Sequence, residues 1–304
     1  MWIGLSFFGF LIGTILGSFA KAVADRLNKQ DSLRGRSYCV KCKHILAWYD
    51  LFPVFSYIML LGKCRYCRKS IPFTNLAAEL VMGFLVAGLF LTQAFDFNIL
   101  LNPTVQSIPL ILNFIFKIFI VLVLFILFLT DIKTGLLPDK VTYPAVGIAI
   151  GYWLVACGLN SWLFYLSLKS NFLGKYLMPP YSNYFWTLIY RIWEPAIFSI
   201  IIGIVSALFF AFLIIITKGR GMGWGDVKYV LFLGIALGFP NAIIGLFLAF
   251  LIGAVFSVIL MGFGKKHFGQ TIPFGPFLSL GAYIALLWGP QILNWYLNSF
   301  KLGY

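Results

Sequence analysis

IFIVLVLFILFLTDIKTGLLPDK, residues 118–140, carries thirteen uncharged residues, nearly all apolar, straight into an aspartate. Such a run belongs in hydrocarbon, and the acid at its end is the feature that needs explaining. The whole chain shares its character. It is 61% hydrophobic, 19% aromatic and 11% charged, with a mean hydropathy of +0.95, far outside the range of soluble globular domains. The sequence therefore predicts an all-α polytopic membrane protein.

A spanning helix needs roughly 20 mainly apolar residues. Runs of this kind fall at 2–20, 75–95, 108–130, 141–158, 195–217, 227–239, 241–263 and 273–294, giving about eight transmembrane helices. The first has no basic residue before its apolar core, so it is expected to remain as a helix rather than serve as a cleavable signal. Lys and Arg near helix ends stay cytoplasmic. Of 23 such residues, eleven lie in 21–74, two in 131–140, three in 218–228 and two at 265–266. These are alternate loops, so both termini are expected outside and the four loops in the cytoplasm. The net charge of +14 borders helix ends, where anionic lipid is the ordinary partner, and no nucleic-acid partner is expected. Residues 159–194, rich in aromatics, read as a long external loop.

One run is too short. From Val227 to Pro240 there is room for roughly 20 Å of helix, and the preceding GRGMGWGD, residues 219–226, is expected to dip below the membrane surface. Irregular backbone at that depth must be buried by protein or line a water-filled cavity. Asp226 would stand there. As a helix cap its carboxylate would satisfy orphan N–H groups. Asp131 has no such excuse, because a carboxylate at a helix C-terminus meets the negative end of the dipole; solvation as a surface loop acid is its plain alternative. Two carboxylates in one cavity would share a proton and titrate as a pair. One could take a proton from an attacking water while its protonated partner donates to a peptide carbonyl. Gly223 and Gly225, lacking side chains, would let a substrate backbone approach.

The G-x-G-D of Gly223 to Asp226, followed by Val227 and Lys228, resembles the signature of membrane aspartic proteases. More narrowly, the chain resembles the type IV prepilin peptidases. GSFAKAVADRL near the start, LAWYDLFPVFSYIMLLGKCRYCRKSI in the first cytoplasmic loop, DIKTGLLPDKVTYP and IPFGPFLSLGAYIALL match that family's blocks in order over most of the chain. The resemblance implies that Asp131 and Asp226 are catalytic. It implies cleavage of a short, usually basic leader from prepilin or pseudopilin substrates at the cytoplasmic face of the bacterial inner membrane, followed by N-methylation of the new terminus from S-adenosylmethionine. Asp139, ending Leu-Pro-Asp, is read as a catalytic helper or a turn cap. On this reading residues 1–95 form the methyltransferase part and 96–304 a six-helix peptidase domain.

Two C-x-x-C pairs, Cys39 with Cys42 and Cys64 with Cys67, offer four thiolates in the first cytoplasmic loop, a set suited to structural zinc. Two disulfides would use the same residues, but the cytoplasm is reducing. His44 is expected at the surface and Cys157 lipid-facing or packed. Glu79 is an acid within a membrane segment and so a functional candidate, assigned to methyl transfer; pairing with Arg68 or Lys69 is its structural alternative. Two departures from the family pattern fall in that half: Lys21 stands where an asparagine is usual, and Phe73-Thr74-Asn75 replaces Arg-Tyr-Pro. Two other classes would also use such features. A proton-coupled transporter needs intramembrane acids but also inverted repeats, which are not visible, and a noncatalytic pilus-assembly platform has no need of both aspartates.

Overall fold

The computed structural model describes residues 2–29, 32, 35–39, 41–92, 104–219, 222–263 and 273–301. Among them the helices are α1 (Trp2–Asn28), a short α2 (Phe55–Met59), α3 (Phe73–Thr92), α4 (Ile108–Thr134), α5 (Asp139–Ser170), α6 (Tyr184–Ile216), α7 (Trp224–Leu237), α8 (Asn241–Gly262) and α9 (Gly275–Lys301). Seven are long and apolar enough to cross a membrane. The eighth is α7, with 14 residues. Arg220, Gly221, Lys265, Lys266 and Ile272, which the sequence reading placed in the glycine-rich dip, a basic loop and the last-helix entry, lie outside the described residues.

One expectation is corrected. Residues 159–194 are not one long loop, because α5 continues to Ser170 and α6 already begins at Tyr184. Backbone hydrogen bonding runs on past the hydrocarbon into a stretch whose Trp and Tyr side chains suit the membrane interface, so hydropathy falls before the helix ends.

The chain packs as two units, Met1–Phe97 with Ile118–Pro138 and Asn98–Lys117 with Asp139–Tyr304. In the first, α1 and α3 run antiparallel, and spaced glycines set their separation. A Cβ at Gly13 would stand 2.7 Å from the Cα of Gly83, and one at Gly17 only 2.9 Å from the Cα of Glu79. Small residues at this four-residue spacing let membrane helices pack backbone to backbone. Met82, Val86 and Leu89 of α3 are fully buried.

In the second unit α7 is the core element, with nine of its residues buried. It packs on α5, α6, α8 and α9. The Trp153 indole N–H donates to the carbonyl of Ile235 (2.8 Å), satisfying one of the orphan carbonyls at the end of α7, and the Tyr229 and Ser279 hydroxyls are hydrogen bonded at 2.7 Å. Gly234 meets Gly203 of α6 so closely that an added Cβ would lie 2.3 Å from the facing Cα. Outward, Leu208 and Phe247 are exposed, as a lipid-facing surface requires.

The close approach yields a direct test. Gly234→Leu is expected to lower thermal stability in detergent by about 1–3 kcal/mol or more, the cost of overpacking. Gly147→Leu, where a Cβ meets nothing within 4 Å, should leave the melting temperature unchanged.

Candidate active site

Asp131 lies in the last turn of α4, in the first unit, and is 4% exposed. The helix ends just beyond it, where the Gly135 N–H donates to the Asp131 carbonyl (2.8 Å) and Gly135 takes φ +64, the left-handed conformation that suits glycine at a helix end. The Thr130 hydroxyl donates to the carbonyls of Ile126 and Leu127 and that of Thr134 to the carbonyl of Thr130, so the threonines beside Asp131 are committed to backbone. Burial removes the loop-acid alternative. Asp131 is buried at the end of α4 that carries the negative pole of the helix dipole.

Asp226 belongs to the second unit and is 8% exposed. It occupies the third position of α7, not the cap itself. The cap is Gly223, in extended conformation, whose N–H donates to Asp226 Oδ2 (3.1 Å) while the Asp226 N–H donates back to the Gly223 carbonyl (3.0 Å). The capping reading is thus correct in substance: one carboxylate oxygen closes the helix start. This also orients the carboxyl group. Asp139, first residue of α5, accepts from the Lys228 ammonium at 2.7 Å; it sits at a helix N-terminus, where a negative charge is favoured, and ties the starts of α5 and α7 together.

The cysteines form a second cluster in the first unit. Each pair folds into the same knuckle. The Cys39 N–H donates to the His44 carbonyl (2.9 Å) and the Lys43 N–H to the Cys39 carbonyl (2.8 Å); Cys64 with Lys69 and Arg68 with Cys64 repeat both bonds at 2.9 and 2.8 Å. Lys43 and Arg68 even share φ values of 56 and 57. The four sulfurs lie within 4.8 Å of one another. A tetrahedron with 2.3 Å metal–sulfur arms has edges of about 3.8 Å, so the set fits a metal ion. Burial raises the Cys39 thiol, but the Cys42 and Lys41 N–H groups and the Cys42 and Cys64 thiols outweigh it and bring the thiol down to about 7, toward the thiolate a metal needs. His44 is not part of the cluster; its ring lies against Tyr66. Cys157 is packed, its thiol directed at the Ile192 carbonyl.

Glu79 does not pair with Arg68 or Lys69. Its Oε2 accepts from the N–H of Val54 at 2.8 Å, a residue at φ +61. It faces a cavity of about 190 Å³ bounded by α1, α3 and the knuckle loop, with Lys21, Asp25, Arg26, Tyr38 and Asn75 also on its wall. Lys21, the departure from the family asparagine, is buried and bonded to Asp25. Asp25 and Asp50 went unremarked in the sequence. Asp50, with a 4% exposed side chain, accepts from Arg65 Nε (2.9 Å), the Tyr66 hydroxyl (2.9 Å) and the Ala47 N–H (3.2 Å) and pins the second knuckle. The signal available was scarcity, since the chain has only nine acids.

Residues 11–93 match the family of the bacterial peptidase A24 N-terminal domain, and residues 173–258 match the type IV leader peptidase family. Neither match spans half of the chain, and over the second stretch the chain is similar to the type IV leader peptidase family. Among relatives named prepilin leader peptidase/N-methyltransferase, the protein of Aeromonas salmonicida is 29% identical over 87% of this chain and 75% of the relative. That of Bacillus subtilis is 28% identical over 95% and 96%, and that of Pseudomonas aeruginosa 26% identical over 95% and 92%. No solved structure matches. The leader-peptidase match contains Asp226, the N-terminal match contains all four cysteines and Glu79, and Asp131 lies between the two.

The cysteine cluster predicts about one metal ion per purified chain by elemental analysis. Cys39→Ser with Cys42→Ser, which leaves two sulfur ligands, should reduce it to near zero; an unchanged metal content would count against the site.

Proposed function

We propose that this protein cleaves the leader peptides of prepilin-like substrates at the cytoplasmic face of the bacterial inner membrane and N-methylates the terminus it creates. The observation that carries the reading is a pair of buried aspartates, Asp131 and Asp226, each at the end of an apolar helix in a chain whose relatives are named for both activities.

The chemistry needs two carboxyl groups in different protonation states. Asp131 and Asp226 act on one substrate as a pair carrying a single proton. The ionised member takes a proton from water as the water attacks the scissile carbonyl. The protonated member donates to the carbonyl oxygen, and the proton returns to the departing amine. The bond between Gly223 N–H and Asp226 Oδ2 fixes the orientation of that carboxyl, and Gly223 and Gly225 leave room for an extended substrate backbone beside it. Lys228, held by Asp139, keeps the start of α7 in register.

Methyl transfer is assigned to residues 1–95, and the peptidase to residues 96–304. The cavity bounded by Glu79, Asp25, Lys21 and Asn75 combines charges of both signs, a composition suited to a cationic sulfonium donor with an amino-acid end. S-adenosylmethionine supplies an electrophilic methyl group when bound there. Glu79, anchored on the Val54 N–H, receives the substrate ammonium and the proton it releases. The metal of the cysteine cluster is zinc, with a structural role: it orders a loop that has little apolar core of its own. Anionic lipids partner the basic residues at the cytoplasmic helix ends.

Incubation of the purified protein with a panel of prepilin-like peptides, followed by mass spectrometry of the new N-terminus, reads both activities at once. Asp131→Asn and Asp226→Asn are each expected to abolish cleavage in a folded, inserted protein; wild-type-like turnover by either would sink the dyad. Glu79→Gln, and separately the Cys39→Ser, Cys42→Ser pair, should reduce methylation more than cleavage. Equal loss of both activities would refute the division of labour.

A further inference from the structure

The sequence places a lysine two residues after each of the two buried aspartates, in Asp131-Ile132-Lys133 and Asp226-Val227-Lys228. On an α-helix two residues correspond to about 200° of rotation, so a lysine at this spacing points away from the aspartate it follows. Both lysines do so, with side chains 42% and 32% exposed. The ordinary fate of a lysine at a cytoplasmic helix end is to extend toward lipid phosphates. Neither does. Lys133 Nζ lies 2.5 Å from Asp25 Oδ1 of α1, and Lys228 Nζ lies 2.7 Å from Asp139 Oδ1 of α5. Lys228 also sits 5.1 Å from the centre of the Tyr143 ring, and Asp25 is held a second time by the buried Lys21. In a chain with nine acids, two are committed to restraining these lysines.

We propose that Asp25 and Asp139 are positioning residues for peptide cleavage. Each fixes, through one lysine, the helix end that bears a catalytic aspartate. The inference rests on the two-aspartate reading above. Each clamp is confined to one packing unit, so each aspartate is set by contacts inside its own unit. Partly exposed ion pairs contribute little to overall stability, so their effect falls on geometry. A displacement of about 1 Å at a reacting group can cost about a hundredfold in rate. Asp25 has a second significance, because it also lines the cavity that contains Glu79. The helix carrying Asp131 and the methyl-transfer cavity therefore share one carboxylate.

The test measures kcat and KM for cleavage of a synthetic prepilin-like peptide by the full-length protein in detergent, with the melting temperature recorded for every variant. Asp25→Asn, Lys133→Met, Asp139→Asn and Lys228→Met should each lower kcat about ten- to a hundredfold, with KM within about twofold of wild type; melting should change little except in Asp25→Asn, which also strips the buried Lys21 of its partner. The exchange Asp139→Lys with Lys228→Asp, which reverses the second pair, should restore most of the rate. Lys21 also holds Asp25, so exchange would fail at the first pair for a trivial reason; there Asp25→Glu, which keeps the carboxylate, should retain most of the rate. These two charge-preserving variants decide the matter if a single variant fails to accumulate. Wild-type kcat in the single variants, or an exchange double as slow as its parents, overturns the proposal while Asp131→Asn and Asp226→Asn remain inactive. Full turnover in either of those asparagine variants overturns the two-aspartate reading and this inference with it.

Discussion

A carboxylate beside hydrocarbon must be given donors or a proton, because the desolvation of an unpaired charge costs several kcal/mol even after relaxation. Much of this molecule can be read as the consequence. Its acids are few and nearly every described one has a specific assignment. Asp226 faces the N–H of its own helix start, Glu79 the N–H of Val54, and Asp50 three donors in the knuckle loop. Asp25 and Asp139 hold lysines. Asp131 is buried in the last turn of α4, at the negative end of its helix dipole.

Packing serves the same end. Lipid gives membrane helices no hydrophobic reason to associate, so close fit must do the work. The glycines of α1 bring its backbone against α3 at Glu79, and Gly203 against Gly234 seats α7 at the centre of its unit. A helix of 14 residues is about 21 Å long and cannot cross hydrocarbon unaided. It is stable because other helices, and not lipid, surround it.

The fold was legible because apolar length is a blunt and reliable signal. The eight runs, the short one included, correspond to α1 and α3 to α9. The reading failed at 159–194, where hydropathy declines but helical hydrogen bonding does not. Within the candidate site, Asp131 and Asp226 stood out as acids bordering apolar runs, and the cysteines stood out by spacing. The knuckle hydrogen bonds that bring the four sulfurs together follow local rules that the C-x-x-C spacing encodes. The remainder was not legible. Asp25 and Lys133 are 108 positions apart, and nothing local to either announces the other. The partner of Glu79 is a backbone N–H, which leaves no trace in side-chain identity.

The paired knuckles also make the protein vulnerable in one specific way. Four sulfurs within 4.8 Å, one of them on a thiol lowered to about 7, are an arrangement in which a thiolate has a neighbouring sulfur within a short rearrangement of bonding distance. A bound metal ties up those electron pairs. Stripped of it in air, the loop would oxidise internally, and because either cysteine of one knuckle can reach either of the other, several pairings compete. With a metal held there, chelators and aerobic handling would act on the loop together, and a reductant alone would not return the metal once lost.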